Sequence, residues 1–386
     1  MKKWTIIGGG IQGITAAVHL LERNVCAIDE LCVIDPHEAP LHVWKKRTSK
    51  IEMPYLRSSF VHHLSSDPFS LENYASSDKD FYGRYKRPSI ELFNEHCAYL
   101  IDSLGISTSW VQDTVTGLEK SAGHWYVNLK SGKQAVSQFV ILAPGGGQKL
   151  HMPDPLTETA VHIFDPHFDL DNAGSTPAVI GGGISAAHTA LYLSRKKNKK
   201  VTFIKRHPLR VHPFDSDPAW LGPKNMRKFT MMNNYGSRRK CLHDARYTGS
   251  MPRELYFRLL QEQRRGNVVF QDAHITDSVS RNGKVELFDR NLSLGIFDSV
   301  ICCTGFKNKL PEAGWLHSLI SRYSLPCASC GYPVLSSSLL WEDSLFAVGA
   351  LAELEIGPVA RNISGAQRAA ARITAFAEAQ KITAGL

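Results

Sequence analysis

Short apolar runs, each closed by small residues, set the rhythm of this chain. Trp4-Thr5-Ile6-Ile7 leads into three glycines, Gly8–Gly10, and then into a stretch from Ile14 to Arg23 whose small and apolar residues suit a helix. Leu31-Cys32-Val33-Ile34 follows and ends at Asp35. The same order returns much later. Ala178-Val179-Ile180 runs into Gly181–Gly183, a helical stretch spans Ala187 to Lys196, and Val201-Thr202-Phe203-Ile204 ends at Lys205-Arg206. Runs this short and this continuously apolar suit parallel strands covered on both faces. Strand, glycine turn, helix, strand is a βαβ unit, so the pattern predicts two of them.

Further apolar strands are expected at Phe139–Ala143, Ser299–Cys303 and Leu345–Val348, each ending in a turn of small residues. Between about 108 and 136, polar and apolar positions alternate around Gly123 and Ser131-Gly132, which predicts a small antiparallel insertion. Gly357-Pro358 predicts the start of a last helix running to about Gln380, because proline fits the first helical position. Asp171–Pro177 reads as a linker into the second unit. The expected fold is α/β with two Rossmann-like βαβ dinucleotide-binding domains. Residues 1–172 and 298–386 form the first, a discontinuous one, and residues 173–297 form the second, inserted in it.

Composition narrows the class without changing it. Of 386 residues, 43% are hydrophobic and 21% charged, which is ordinary for a globular protein. No apolar run is long enough to span a bilayer, and the N-terminus reads as a strand rather than a signal peptide. A cytoplasmic location away from membranes is therefore expected. Eight cysteines in this length do not make a disulfide framework; Cys302 and Cys303 lie in an apolar run and suit the core. The net charge of +9 is scattered and lacks a nucleic-acid-binding module, so anionic small molecules are the expected partners. Neither His162/His167 nor His207/His212 has cysteine pairs at zinc-ligand spacing, so no metal site is expected. No G-x-S-x-G elbow is present.

The glycines carry the chemistry. Gly8, Gly10 and Gly13 in GGGIQG match G-x-G-x-x-G after a strand and before a helix. In that setting the first glycine permits the tight turn, the second admits a pyrophosphate, and the third lets helix and strand pack closely. Asp35 at the next strand end can accept from ribose hydroxyls and would repel a 2′-phosphate, which suits FAD or NAD. The second loop, GGGISA, offers Gly181, Gly183, Ser185 and Ala186. Lys205 and Arg206 take the place of the acidic residue there, and Arg210 lies just beyond. Cations at that position favour a 2′-phosphate, hence NADPH. Two nucleotide folds in one chain suit a hydride relay from nicotinamide to flavin.

Four segments taken together resemble a known family: GGGIQG, GGGISA, Val300–Phe306 with its Cys303-Thr304-Gly305 turn, and Ser344–Gly349. The chain is similar along nearly its whole length to flavoproteins with two dinucleotide-binding domains, and within them to class B flavin monooxygenases of the lysine- and ornithine-hydroxylating branch. The resemblance implies FAD, NADPH and molecular oxygen, with oxygen passing from a C4a-peroxyflavin to a nucleophilic nitrogen or sulfur of a small molecule. It assigns Gln12, Thr304, Gly305, Gly349, Gly357 and Pro358 to the cofactors. It makes Trp44–Tyr74 the loop against the flavin ring, with Arg57, His62 and His63 as candidate catalytic residues. It also makes residues 215–224 a cofactor- and substrate-facing insertion. Ala143-Pro144-Gly145 is a looser copy of the inter-domain turn. The chain departs from the family at Ala350, where an aspartate is usual, and at Ile11, where the hydroxylases carry proline. It also lacks the F-x-G-x-x-x-H signature.

Two other readings remain open. Cys327-Ala328-Ser329-Cys330 is a C-x-x-C, which would suit a reductase with a thiol relay. A nucleotide-binding sensor without catalysis is the other.

Overall fold

The computed structural model describes residues 1–145, 149–307, 309–311 and 313–384. Lys2–Ile7, the first apolar run, is the buried middle of a sheet. It lies parallel to Leu31–Asp35, with Trp4 opposite Leu31, and parallel to Gln134–Leu142, with Trp4 opposite Phe139. Leu345–Ala347 continues this sheet on one side and Trp110–Gln112 on the other, both in parallel. Val115–Ser121 and His124–Leu129 form an antiparallel ribbon hung on Gln134–Leu142. Trp110 therefore belongs to the main sheet and not to the ribbon. Helices Ile11–Glu22 and Ile363–Ala384 pack together on this sheet. Trp4, Ile6, Phe93, Trp125 and Phe346 are fully buried in the core between these elements.

The second sheet is all parallel, in the order Val268–Asp272, Val201–Lys205, Pro177–Ile180, Ser299–Cys302, Val161–His162. Helices Ile184–Arg195 and Arg253–Arg264 cover it. The strand Ser299–Cys302, given to the first domain by the sequence reading, thus belongs to the second sheet, as does Val161–His162. The return to the first domain comes after Cys302 rather than near Asp298. An apolar parallel strand suits the middle of either sheet, and its register is decided by tertiary packing. Three antiparallel strands, Asp277–Arg281, Lys284–Asp289 and Leu292–Phe297, form a separate small sheet that the sequence reading did not contain.

Two arginines from the first domain fasten it to the second. Arg57 reaches Asp215 and the segment around Ser250, and Arg87 pairs with Glu254 on the helix Arg253–Arg264. No helix among the described residues is long and apolar enough to cross a membrane.

Candidate functional site

The first glycine loop is shaped by two close approaches and one opening. Gly8 has φ +110°, and a Cβ there would lie 2.1 Å from the carbonyl oxygen of Ala143. A Cβ on Gly13 would lie 1.8 Å from the Gly8 oxygen. A Cβ on Gly10 would meet nothing within 4 Å. So Gly8 and Gly13 hold backbones together, while Gly10 keeps a space open. The helix Ile11–Glu22 begins at that space with no side-chain cap, leaving its first N–H groups and its positive dipole end for an anion.

Asp35 serves the loop as well as facing it. Its carboxylate accepts from the Gly9 N–H at 2.7 Å and from the His37 N–H at 2.9 Å, and the His37 ring lies 2.7 Å away. Gln12 donates to the carbonyls of Ala360 and Asn362, while its buried Oε1 has no partner among the described residues. Gly349, with φ +65°, packs directly on the Gln12 side chain. An open cradle at Gly10, an uncapped helix and a buried acceptor without a donor all fit a pyrophosphate cofactor with hydroxyl donors, as FAD has.

Gly10→Val is expected to leave the fold intact and empty the protein of flavin. The backbone at Gly10 has a negative φ, so valine brings no strain; it only fills the cradle. The check is flavin absorbance of the purified variant against an unchanged far-ultraviolet circular dichroism spectrum.

The second loop opens a cleft of about 930 Å³, within the range of pockets that take small ligands. Gly181, at φ +144°, lies against the Cys303 carbonyl, and Gly183 against Gly249. Gly181, Gly183 and Ser185 line the cleft at the uncapped start of the helix Ile184–Arg195, while Ala186 is buried behind them. Lys205 and Arg206 divide the work. Lys205 stands opposite Asp272 in the sheet register, and its buried ammonium is bonded to that carboxylate. Arg206 is exposed, lines the cleft and has no partner among the described residues. Arg210 donates to the Thr248 carbonyl at 3.2 Å beside it. Arg206 is thus the cation available to a 2′-phosphate. Arg206→Ala is expected to raise KM for NADPH on the order of tenfold, the value of one charge-assisted contact, and to leave KM for NADH unchanged. Steady-state kinetics with both nucleotides checks this.

The far wall of the cleft comes from the first domain. Thr304 and Gly305 lie there, with the Thr304 hydroxyl donating to the His151 carbonyl. Gly357, at φ +92°, turns the chain, so that Pro358, Arg361 and Asn362 face the cleft. The last helix starts at Ile363 and not at Pro358, because residues 357–362 form consecutive turns closed by Ala360 N–H to Gly357 and Asn362 N–H to Val359.

The candidate catalytic residues are placed for other tasks. Arg57 reaches the cleft wall, but its guanidinium is spent on Asp215, the Ser250 hydroxyl and the carbonyls of His212, Phe214 and Ser250. It is a fastener without a donor to spare. His63 is fully buried; one ring nitrogen accepts from Ser65 N–H and the other faces the Pro68 carbonyl. The His62 ring lies 2.6 Å from the Ser58 hydroxyl, and burial pushes its pKa down to about 4. Neither histidine lines the cleft. Cys327 and Cys330 are exposed in a hairpin turn closed by Ala328 and Tyr332, and they too stand outside the cleft.

Sequence reasoning missed an arginine cluster. Glu353 is 0% exposed and is paired with Arg239, Arg246 and Arg361, of which the last two line the cleft. Burial raises the Glu353 pKa, but the contacts from Arg361, Arg246 and Arg239 outweigh it and hold the carboxyl below its usual value. The one local signal is a pair of carboxylates, Glu353 and Glu355, in the otherwise apolar run Leu351–Ile356.

The family model for FAD-NAD(P)-binding domains, NAD_binding_9, matches residues 5–147, which hold the first glycine loop and Asp35. Among curated proteins none matches the sequence. Solved structures match along the whole chain. The ornithine hydroxylase PvdA from Pseudomonas aeruginosa is 18% identical, with 97% of this chain and 98% of that one covered and a TM-score of 0.74. The FAD-bound cadaverine monooxygenase DfoA from Erwinia amylovora is 15% identical, with 98% and 94% covered and a TM-score of 0.77. The bacillithiol disulfide reductase Bdr (YpdA) from Bacillus cereus is 16% identical, with 98% and 99% covered and a TM-score of 0.61. The chain has the fold that these three enzymes share.

Proposed function

We propose that this chain, built on that two-nucleotide fold, is an FAD- and NADPH-dependent monooxygenase of the cytoplasm. It places one oxygen atom from O₂ on a nucleophilic nitrogen or sulfur of a small molecule. The observation that carries the reading is a single continuous cleft. Residues suited to the nucleotide, Gly181–Ser185 and Arg206, and residues next to the flavin loop, Thr304, Gly305, Pro358, Arg361 and Asn362, line the same space. A nicotinamide laid on the second loop would therefore lie against the loop that Gln12 joins to the flavin cradle.

The chemistry that bound FAD would supply is acceptance of hydride and activation of oxygen. The chain's own residues hold and enclose. Gly8 and Gly13 fix the first turn, and Gly10 leaves room for phosphates. Gln12 ties the flavin loop to the carbonyls of Ala360 and Asn362, setting the distance between cradle and cleft. Gly181, Gly183 and Ser185 receive the second pyrophosphate, and Arg206 meets the 2′-phosphate. No cleft-lining side chain has to relay a proton for this role; exclusion of water matters more. The exposure of Cys327 and Cys330 away from the cleft supports oxygen transfer over a thiol relay.

The test is anaerobic reduction of the FAD-loaded protein by NADPH, then mixing with isotopically labelled dioxygen and a panel of amines and sulfides. Label in the product, one atom per NADPH consumed, is the expected result. Stoichiometric thiol formation from a disulfide, with no label incorporated, would overturn the reading in favour of a reductase. Absence of both would leave only the nucleotide-binding sensor.

A further inference from the structure

The thiols of this chain divide by exposure. Cys26, Cys32, Cys97, Cys302 and Cys303 are buried and Cys241 is half-buried, while Cys327 and Cys330 are exposed. Burial pushes the Cys303 thiol up to about 12 and raises Cys97 and Cys302 as well, so these stay protonated and inert. Cys327 and Cys330 share one hairpin turn. In it the Ala328 N–H donates to the Tyr332 carbonyl and the Gly331 N–H to the Ala328 carbonyl, while Cys327 faces Pro333 across the hairpin.

That turn is joined to the wall of the cleft. Tyr332 carries the Arg239 guanidinium over its ring at 3.9 Å, and its hydroxyl accepts from Nη2 of Arg361 at 3.0 Å. Arg239 spends Nη1 on Glu353, which also holds Arg246 and Arg361, and these last two line the cleft. Nε and Nη2 of Arg239 are buried with no hydrogen-bond partner among the described residues. Cys330 stands beside this guanidinium. Burial opposes the Arg239 charge, but its contacts with Glu353 and then Cys330 outweigh burial and raise its pKa. A thiolate at Cys330 is the acceptor that the two N–H groups lack. The thiolate is also the form that attacks a peroxide.

We infer that Cys327 and Cys330 form a redox modification site, closed to a disulfide by hydrogen peroxide and coupled to the cleft through Arg239 and Tyr332. The Cys330 thiolate attacks the peroxide: an S–O bond forms, the O–O bond breaks, and hydroxide leaves to be protonated to water. Sulfur is oxidised to a sulfenic acid and the peroxide is reduced. The Cys327 thiol then displaces the hydroxyl, which forms the S–S bond and releases a second water. Two thiols and one peroxide thus become one disulfide and two waters. In the disulfide Cys330 carries no charge, so Arg239 loses an anionic partner, and Arg246 and Arg361 share Glu353 with a less well held neighbour. The wall of the cleft loosens and the nucleotide binds less tightly. On the monooxygenase reading, on which this role rests, the oxidant is at hand, since hydrogen peroxide is what remains of oxygen reduced without an acceptor. Nucleotide uptake then falls when oxygen is being wasted.

The experiment treats the FAD-loaded protein with hydrogen peroxide, maps its cysteines by mass spectrometry, and titrates the product with NADP⁺. A Cys327–Cys330 disulfide is expected, with NADP⁺ bound about fivefold or more weakly, and dithiothreitol should reverse both changes. Cys330→Ser should keep its NADP⁺ affinity under peroxide. Cys327→Ser, which lacks the resolving thiol, should collect a dimedone-reactive sulfenic acid at Cys330. No disulfide between the pair overturns the site, and a disulfide with unchanged NADP⁺ affinity overturns its coupling to the cleft. Reduction of the disulfide by NADPH alone also overturns it, because the pair would then be a relay used in turnover. Failure of the oxygen-transfer reading would appear elsewhere, in the labelled-dioxygen experiment, and would leave the response to added peroxide intact.

Discussion

Glu353→Ala is expected to cost about 3–5 kcal/mol of folding stability, the range for breaking a buried ion pair from one side. The carboxylate is fully enclosed, and it contacts Arg361 at 2.8 Å, Arg246 at 3.0 Å, and Arg239 as well. Removing it leaves three mostly buried guanidinium groups facing one another without their shared counter-charge. Glu353→Gln keeps the volume and loses the charge, so it should lose nearly as much as alanine. Urea denaturation of the flavin-free protein measures both. A glutamine variant within about 1 kcal/mol of wild type would show that hydrogen bonding, and not charge, holds the cluster.

Mild acid should unfold the protein well before its carboxylates titrate. Burial pushes His19, His162 and His188 down to about 4 and His96 down to about 3, from an ordinary 6.5. All four are nearly or fully enclosed, and the Nδ1 of His96 has no partner among the described residues. The sign follows from proton counting. Between pH 6.5 and about 4 the unfolded chain takes up protons on these rings and the folded one does not, so stability falls as pH falls through that window. Above 6.5 the contribution is complete. By pH 5 each ring accounts for up to roughly 2 kcal/mol, and four of them rival a typical margin of about 5–15 kcal/mol. Denaturant titrations at steps from pH 8 to pH 5 check this. A flat profile would mean that the rings are hydrated in solution.

What the sequence disclosed depended on how far apart the interacting residues lie. Gly8, Gly10 and Gly13 were legible because a turn, an opening and a close approach are all set within a few residues. Arg206 was expected from its place at a strand end to be an accessible cation, and it stands exposed at the cleft. Lys205 looked equivalent, yet its charge is taken by Asp272, 67 positions away. Glu353 meets Arg239 and Arg246 across 114 and 107 positions, a distance at which no local pattern exists. Arg57, His62 and His63 looked like reactive groups in a polar loop. The hydrogen bonds they make come largely from chain 155–193 positions away for Arg57 and from the fold of the loop itself for the histidines. Ser299–Cys302 was recognised as a strand and given to the wrong sheet, since its apolar pattern carries no record of its neighbours.

The fasteners Arg57 and Arg87 have a mechanical consequence. Arg57 grips the second domain at five residues, from His212 to Asp215 and at Ser250, and Arg87 adds an ionic pair close by with Glu254. A swing of the second domain against the first would have to break these contacts. If the two sites hold nicotinamide and flavin, the pins favour a constant gap between them, and the approach to the flavin falls to the flexible nicotinamide arm of the ligand.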